Sequence, residues 1–275
     1  MATYKEIQGE AIVNSSANVT NEGQVFYNSA DKAFKLSAKT SAAAWATGGT
    51  VPAGKFVNGG FGTQTANTIC AGKPGPVNTT FNYDGSSWTS SGAMGTGRYG
   101  LGSGGTQTAG LVYGGYTPNF SNVTEEYDGS SWTSGGALNN ARSYLAGFGI
   151  QTAAVAAGGS PRSPSGNLTE EYNGSSWTAS GTMNTKRDTL YGNGTESSGL
   201  VYGGNTGSVS SDCEGYDGSI WTTRPPLTTA RKYLGGFGTA GGTTGVATGG
   251  DTGSMSSATE EFTAETTAVN LKAFG

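Results

Sequence analysis

The chain has 275 residues and a formal net charge of −4; 49 residues are glycine, and Lys, Arg, Asp and Glu together make only 12%. That balance excludes a general nucleic-acid binder, which needs clustered cations to neutralise phosphates. The 13 Tyr, 10 Phe and 5 Trp exclude a solvated Gly/Ser polymer and fit many short strands joined by glycine-rich turns.

Residues 1–40 differ in pattern from the rest of the chain. Met1 to Glu6 lacks the basic start and apolar core of an export signal, and no run approaches 18 apolar residues, so cytosolic synthesis without membrane insertion is expected. Glu22 to Asn28, the polar stretch Ser29 to Lys32, and Ala33 to Leu36 predict a β-hairpin. A two-stranded hairpin is marginal alone, so the arm is expected to dock on something.

From residue 41 to 263 the chain repeats. Trp45, Trp88, Trp132, Trp177 and Trp221 succeed one another at intervals of 43, 44, 45 and 44 residues. Ten residues after each comes a cation: Lys55, Arg98, Arg142, Arg187 and Arg231. A small pair then closes an apolar stretch (Ala71-Gly72, Gly114-Gly115, Gly158-Gly159, Gly203-Gly204, Gly249-Gly250). Next comes an aromatic, Tyr83, Tyr127, Tyr172, Tyr216 or Phe262, and five residues past each Tyr stands the next Trp. In the third unit, Ser143 to Phe148, Gln151 to Ala157, Asn167 to Tyr172 and Ser175 to Thr178 predict four strands. The dipeptides Asp84-Gly85, Asp128-Gly129, Asn173-Gly174 and Asp217-Gly218 ahead of the last four Trp predict tight turns with positive φ at both central positions. Four short antiparallel strands in about 44 residues make one propeller blade.

The order apolar run, Gly-Gly, Glu-x-Tyr-Asp, Trp, Arg resembles the kelch repeat over roughly residues 43 to 263. The resemblance implies an all-β, five-bladed propeller with four antiparallel strands per blade. The first Trp has no preceding blade and the last unit has no terminal Trp. The strand around Trp45 is therefore expected to pair with that around Phe262, which closes the ring and removes two exposed edges. Residues 264–275 remain as a tail.

Two residues before the aromatic, Glu125, Glu170, Glu214 and Glu260 recur; the first unit has Phe81 there, and it alone has Lys55 in place of Arg. Two roles are open to these charges. The arginines brace the carboxylates with bidentate contacts that Lys makes poorly, or the five cations ring the channel mouth and hold an anion. The five tryptophans and the four glutamates are expected to be structural. Connections after the second and fourth strands share one end of the ring and vary most, so they form the candidate binding face. Tyr116, Phe120, Arg162 and Arg224 on them are the candidate contacts for a ligand or partner.

The chain has no histidine, which removes the commonest general base and metal ligand. No catalytic residue, metal or cofactor is expected, and Cys70 and Cys213 read as buried free thiols. The Glu-Glu pairs could imitate glycosidase carboxylates, but they recur in three blades, as scaffold residues would. The Glu-Gly-Gln-aromatic-Tyr-Asn opening at Glu22 to Asn28 is similar to the start of fibre and appendage proteins of tailed bacteriophages. The charge-poor, near-identical units also resemble marine phage proteins. The resemblance implies a virion structural protein, a tail-fibre, appendage or capsid-surface component, in several copies or as a homo-oligomer. Its arm would meet other virion proteins and its variable face a host-surface glycan or protein. A soluble carbohydrate-binding lectin and a glycan-cleaving enzyme are the alternatives.

Overall fold

The computed structural model describes residues 13–15, 25–28, 33–36, 47–56, 58–238 and 243–263. The chain divides into two units, Met1–Thr47 and Gly48–Gly275. In the first, Val25–Asn28 and Ala33–Leu36 pair antiparallel with Val25 opposite Leu36, so the expected hairpin is present. A third strand, Val13–Ser15, which the sequence did not signal, joins Val25–Asn28 in parallel.

The second unit is an all-β, five-bladed propeller. Blade 1 comprises Gly59–Thr63, Ala66–Cys70, Thr80–Tyr83 and Trp88–Ser91. Blade 2 comprises Gly102–Thr106, Ala109–Tyr113, Thr124–Tyr127 and Trp132–Ser134. Blade 3 comprises Ala146–Ile150, Ala153–Ala157, Thr169–Tyr172 and Trp177–Ala179. Blade 4 comprises Tyr191–Thr195, Ser198–Tyr202, Cys213–Tyr216 and Trp221–Arg224. Blade 5 comprises Gly235–Gly238, Thr244–Thr248 and Thr259–Thr263 among the described residues. Every blade is an antiparallel meander, and the first strands of neighbouring blades lie side by side around the axis.

Crowding at the axis explains the glycine-rich first strands. A Cβ on Gly147 would stand 2.6 Å from the Ser103 backbone nitrogen and the Tyr113 hydroxyl of blade 2. The second strands carry the core instead: Leu111, Val112, Tyr113 and Val155, Ala156, Ala157 are buried. Both cysteines are free and buried, Cys70 ending the second strand of blade 1 and Cys213 opening the third strand of blade 4, and burial pushes each thiol up to about 12.

The repeated Trp is the contact between blades. Trp177 packs against Tyr172 of its own blade (ring centroids 4.9 Å apart) and against Tyr113 of blade 2 (4.6 Å), tilted to both. Its Nε1–H donates to Thr124 Oγ1 of blade 2 at 2.9 Å. Trp132 and Trp221 make the same bond to Thr80 and Thr169. Beside the third strand of blade 5 lies a cavity of about 230 Å³, bounded by Tyr202, Cys213 and Phe262 among others. These three are the counterparts of Tyr113, Thr124 and Tyr172, which surround Trp177.

The closing strand expected at Trp45, like the tail at 264–275, lies outside the described residues. The next residues nonetheless keep the repeat phase. A side chain on Gly49 would meet the Ser86 carbonyl of blade 1 at 2.5 Å, as one on Gly92, Gly136 or Gly181 would meet the Ser130, Ser175 or Ser219 carbonyl of the adjoining blade.

The Gly-Gly pairs are explained by backbone conformation. Gly158 and Gly159 have φ of 65° and 110°, and the Gly159 N–H donates to the Arg187 carbonyl of blade 4 at 2.9 Å. The second value is one that only glycine adopts comfortably. A Cβ on Gly159 would also lie 2.8 Å from the Ser143 carbonyl. Gly159→Ala should therefore cost about 1–3 kcal/mol, read from the urea midpoint. A loss no larger than that of Ala introduced at exposed Gly54, where a Cβ meets nothing within 4 Å and φ is not positive, would contradict a conformational role for Gly159.

Candidate binding face and channel mouth

The repeated cations do not line a channel mouth. Arg98, Arg142, Arg187 and Arg231 are 0% exposed, and none borders the central cavity. Each lies against the Glu of its own blade. Arg142 Nη2 meets Glu170 Oε1 at 3.1 Å, Arg187 Nη2 meets Glu214 Oε1 at 2.9 Å, Arg98 Nη1 meets Glu125 Oε1 at 3.2 Å, and Arg231 pairs with Glu260. Arg142 also donates to the carbonyls of Gly158, Leu168 and Ala156 at 2.9–3.2 Å. Enclosed cations must be paired, because burial disfavours the charged form. Burial pulls the Arg142 guanidinium below its ordinary value, and the Glu170 carboxylate opposes that pull.

Blade 1 solves the same problem with different chemistry. Lys55 Nζ donates to the Ala71 and Thr79 carbonyls at 3.0 and 2.8 Å, the counterparts of the Gly158 and Leu168 carbonyls. It sits 5.0 Å from the centre of the Phe81 ring. The paired departure of Lys55 and Phe81 is thus a cation–π contact in place of an ion pair.

The carboxylates have a second task. Glu170 Oε2 accepts the Asn139 N–H at 2.7 Å, and Glu125 and Glu214 accept the Gly95 and Asn184 N–H groups. Each therefore fastens its third strand to the segment arriving from the preceding blade. The second Glu of a pair faces onward: Tyr172 of blade 3 donates to Glu126 Oε1 of blade 2 at 2.5 Å, and Tyr216 of blade 4 to Glu171 of blade 3. Asn82 takes that place in blade 1, donating to the Tyr127 hydroxyl. Both members of the pairs Glu125-Glu126 and Glu170-Glu171 are thereby engaged in holding blades together.

The turns ahead of Trp88, Trp132, Trp177 and Trp221 differ from expectation. They are four-residue loops, with Tyr127 paired to Trp132 across Asp128 to Ser131, and only the Gly has positive φ (102° at Gly129). The Asp carboxylate supplies the reason. Asp128 accepts the N–H groups of Ser130 and Ser131 and both of their hydroxyls at 2.7–2.9 Å, and so organises a longer loop. Asp84 repeats this, as does the neutral Asn173, and Asp217 accepts the Ser219 and Ile220 N–H groups and the Ser219 hydroxyl.

Hydrogen bonds from these loops hold the Asp84, Asp128 and Asp217 carboxyls well below their ordinary value. Folded values depressed in this way contribute stability that is complete above the unfolded value of about 3.9 and is lost as pH falls below it. A triple Asp84→Asn, Asp128→Asn, Asp217→Asn variant should lose less Tm than the parent between about pH 5 and about pH 2. Parallel pH curves would remove this contribution.

The opposite end of the ring carries the variable connections. The residue immediately after each repeated cation meets the residue after each small pair through an isolated bridge: Phe56 with Lys73, Tyr99 with Tyr116, Ser143 with Ser160, Asp188 with Asn205, Lys232 with Asp251. Backbone geometry recurs from blade to blade while the side chains change. At the axis a belt of hydrogen bonds runs between blades: Tyr144 N–H to Gly100 O at 2.6 Å, Thr189 N–H to Tyr144 O at 2.8 Å, and Tyr233 N–H to Thr189 O at 3.0 Å. All four belt residues have positive φ, from 53° to 63°.

Aromatic rings run across this end in one connected line. Phe120 meets Tyr116 at 5.6 Å, Tyr116 meets Tyr99 at 5.4 Å, Tyr99 meets Tyr144 at 6.2 Å, and Tyr144 meets Tyr233 at 5.9 Å. Phe120 is 40% and Tyr233 53% exposed. Lys73 Nζ lies 4.2 Å from the Tyr99 ring centre. Of the expected contacts, Tyr116 and Phe120 form one end of this line. Arg162 lies nearby but is held by Asp188 at 3.4 Å. Arg224 ends the outermost strand of blade 4 against Gly215, away from the line. Tyr99, Tyr144 and Tyr233 were not singled out from the sequence. Their signal was present: they stand one or two residues after the repeated cation, where side chains differ between otherwise similar units.

Beneath the belt lies a central cavity of about 470 Å³ to which all five blades contribute, through Gly60, Ser103, Gly147, Gly192 and Gly235 among others. Among the described residues no group of three or more His, Cys, Asp or Glu is placed to hold a metal ion, and no helix is long and apolar enough to cross a membrane. A propeller with this face suggests a binding function. No protein-family model matches the chain, and no curated protein matches it either.

Proposed function

We propose that the protein is a binding component of a virion, a fibre, appendage or capsid-surface protein that engages its target through the loop end of the propeller. The observation that carries a binding role is the line of rings from Phe120 to Tyr233, partly exposed and fixed on a rigid scaffold. Aromatic anchors held in one geometry lose little conformational entropy on association and dominate interface energetics. The virion setting rests on the similarity of Glu22 to Asn28 to phage fibre and appendage proteins. In this reading the N-terminal arm meets other virion proteins, the protein is present in several copies, and chemistry is left to other components.

Mass spectrometry of particles purified from the virus–host system encoding this chain should detect the polypeptide in stoichiometric amounts. Particles free of it would refute the virion setting. Binding is tested separately with purified protein: Phe120→Ser with Tyr116→Ser should weaken attachment to the target surface, and unchanged attachment would refute this face.

A further inference from the structure

We propose that the mouth of the central cavity is a binding site for a neutral pyranose, its C–H groups packed in the angle between the Tyr144 and Tyr233 rings and its hydroxyls turned toward the inner strands. The inference deepens the proposed binding role and rests on the loop end being the binding end.

Backbone conformation supplies the first reason. The belt requires positive φ, and Gly100 meets that requirement without cost. Tyr144 and Tyr233 sit there at 53° and 54°, in a region that side chains other than Gly, Asn and Asp enter rarely. Strain at a position where glycine would serve marks a site where the side chain itself is needed. What these two side chains supply is a pair of rings at the axis, 5.9 Å apart and set at 79° to each other.

The chemistry of the lining supplies the second. Tyr144, Thr189 and Tyr233 border the cavity together with Asn58 and Ser103, and no charged side chain is among its described lining residues. Charges near the mouth are already engaged: Lys232 with Asp251 at 3.6 Å, Arg162 with Asp188 at 3.4 Å, and Lys73 over the Tyr99 ring. Burial, first, and the neighbouring Tyr233, Tyr99 and Asp188 push the Tyr144 phenol up to about 12, so this phenol stays protonated at neutral pH.

Leu101, Leu145, Leu190 and Leu234 line part of the cavity, and the inner strands add polar backbone groups to it because the first strand of every blade is the edge of its sheet. An edge leaves a row of N–H and C=O groups without strand partners. Ser103 caps the edge of blade 1, donating to Gly60 O at 3.0 Å and accepting from Gly60 N at 3.3 Å. The equivalent residues of blades 3 and 4 are Gly147 and Gly192, which have no side chain to do so. An uncharged cavity with hydrogen-bonding walls and an aromatic rim suits a ligand with many hydroxyls and one apolar face. In a pyranose that face bears C–H groups, whose slight positive charge matches the negative face of an aromatic ring.

The test uses the full chain and saturation-transfer NMR with methyl glucoside, methyl galactoside and methyl mannoside as probes. Methyl glucuronide and sialyllactose serve as charged comparators. At least one neutral pyranoside should bind, and Tyr144→Gly with Tyr233→Gly should weaken it about tenfold or more, as loss of stacking anchors does. Because Gly100 already occupies the equivalent place, the double variant should keep the parental Tm. Absence of binding by every neutral pyranoside, binding of charged sugars alone, or unchanged affinity in the variant would overturn the assignment. Those results leave the wider face intact, since its failure is read separately, in unchanged target attachment by the Phe120→Ser, Tyr116→Ser protein.

Discussion

Arg142→Ala should lower the unfolding free energy by about 3–5 kcal/mol, the range found when one member of a buried ion pair is removed. Three carbonyls and Glu170 Oε1 lose a guanidinium donor at once within blade 3. Arg142→Lys should fall between, at about 1–3 kcal/mol, because an ammonium reaches the carbonyls but lacks the planar fork. Blade 1 supplies a sharper version of the experiment. There Lys55 works beside Phe81, so Glu170→Phe added to Arg142→Lys should recover part of the loss. Urea unfolding of the four proteins of this cycle measures the coupling. A cost below about 1 kcal/mol for Arg142→Ala, or no recovery in the double variant, would show that the pair does not brace the blade.

The same residues show what the sequence could and could not disclose. Repeat spacing revealed the five blades because each Trp, Arg and Gly-Gly performs one steric task per unit and cannot drift. Spacing carries no direction, however. Five equally spaced cations look identical whether they turn toward the axis or into the blade, and only the fully enclosed Arg142 and its neighbours decide the matter. The Asp-Gly dipeptides misled for a related reason. Their local preference for a two-residue turn yields to a carboxylate that gathers four donors from the next two serines. The departure of blade 1 was legible as a paired change, and its meaning required the 5.0 Å approach of Lys55 to the Phe81 ring.

The candidate site was half legible. Tyr116 and Phe120 stand in a connection whose length and composition advertise a loop. Tyr144 and Tyr233 are hidden inside what reads as the start of a strand, since Ser143 to Phe148 alternates small and large residues. The strand in fact begins at Ala146. Tyr144 belongs instead to the inter-blade belt, a long-range hydrogen-bond pattern that no local window contains.

Trp177→Ala should be about as damaging, at about 3–5 kcal/mol. Trp177 is 5% exposed and packs between Tyr172 of its own blade and Tyr113 of blade 2, so truncation opens a cavity on an inter-blade surface. The indole also satisfies Thr124, which is 1% exposed and has little access to water. Trp177→Phe separates the two contributions: it keeps most of the stacking area and removes the N–H, and should cost about 1–3 kcal/mol. If the blades unfold together, the denaturant slope stays constant and only the midpoint moves. A reduced slope in Trp177→Ala would mean instead that blades 1 and 2 part from blades 3 to 5. The single ring of contacts would then behave as a stack of neighbours, each held to the next by one tryptophan.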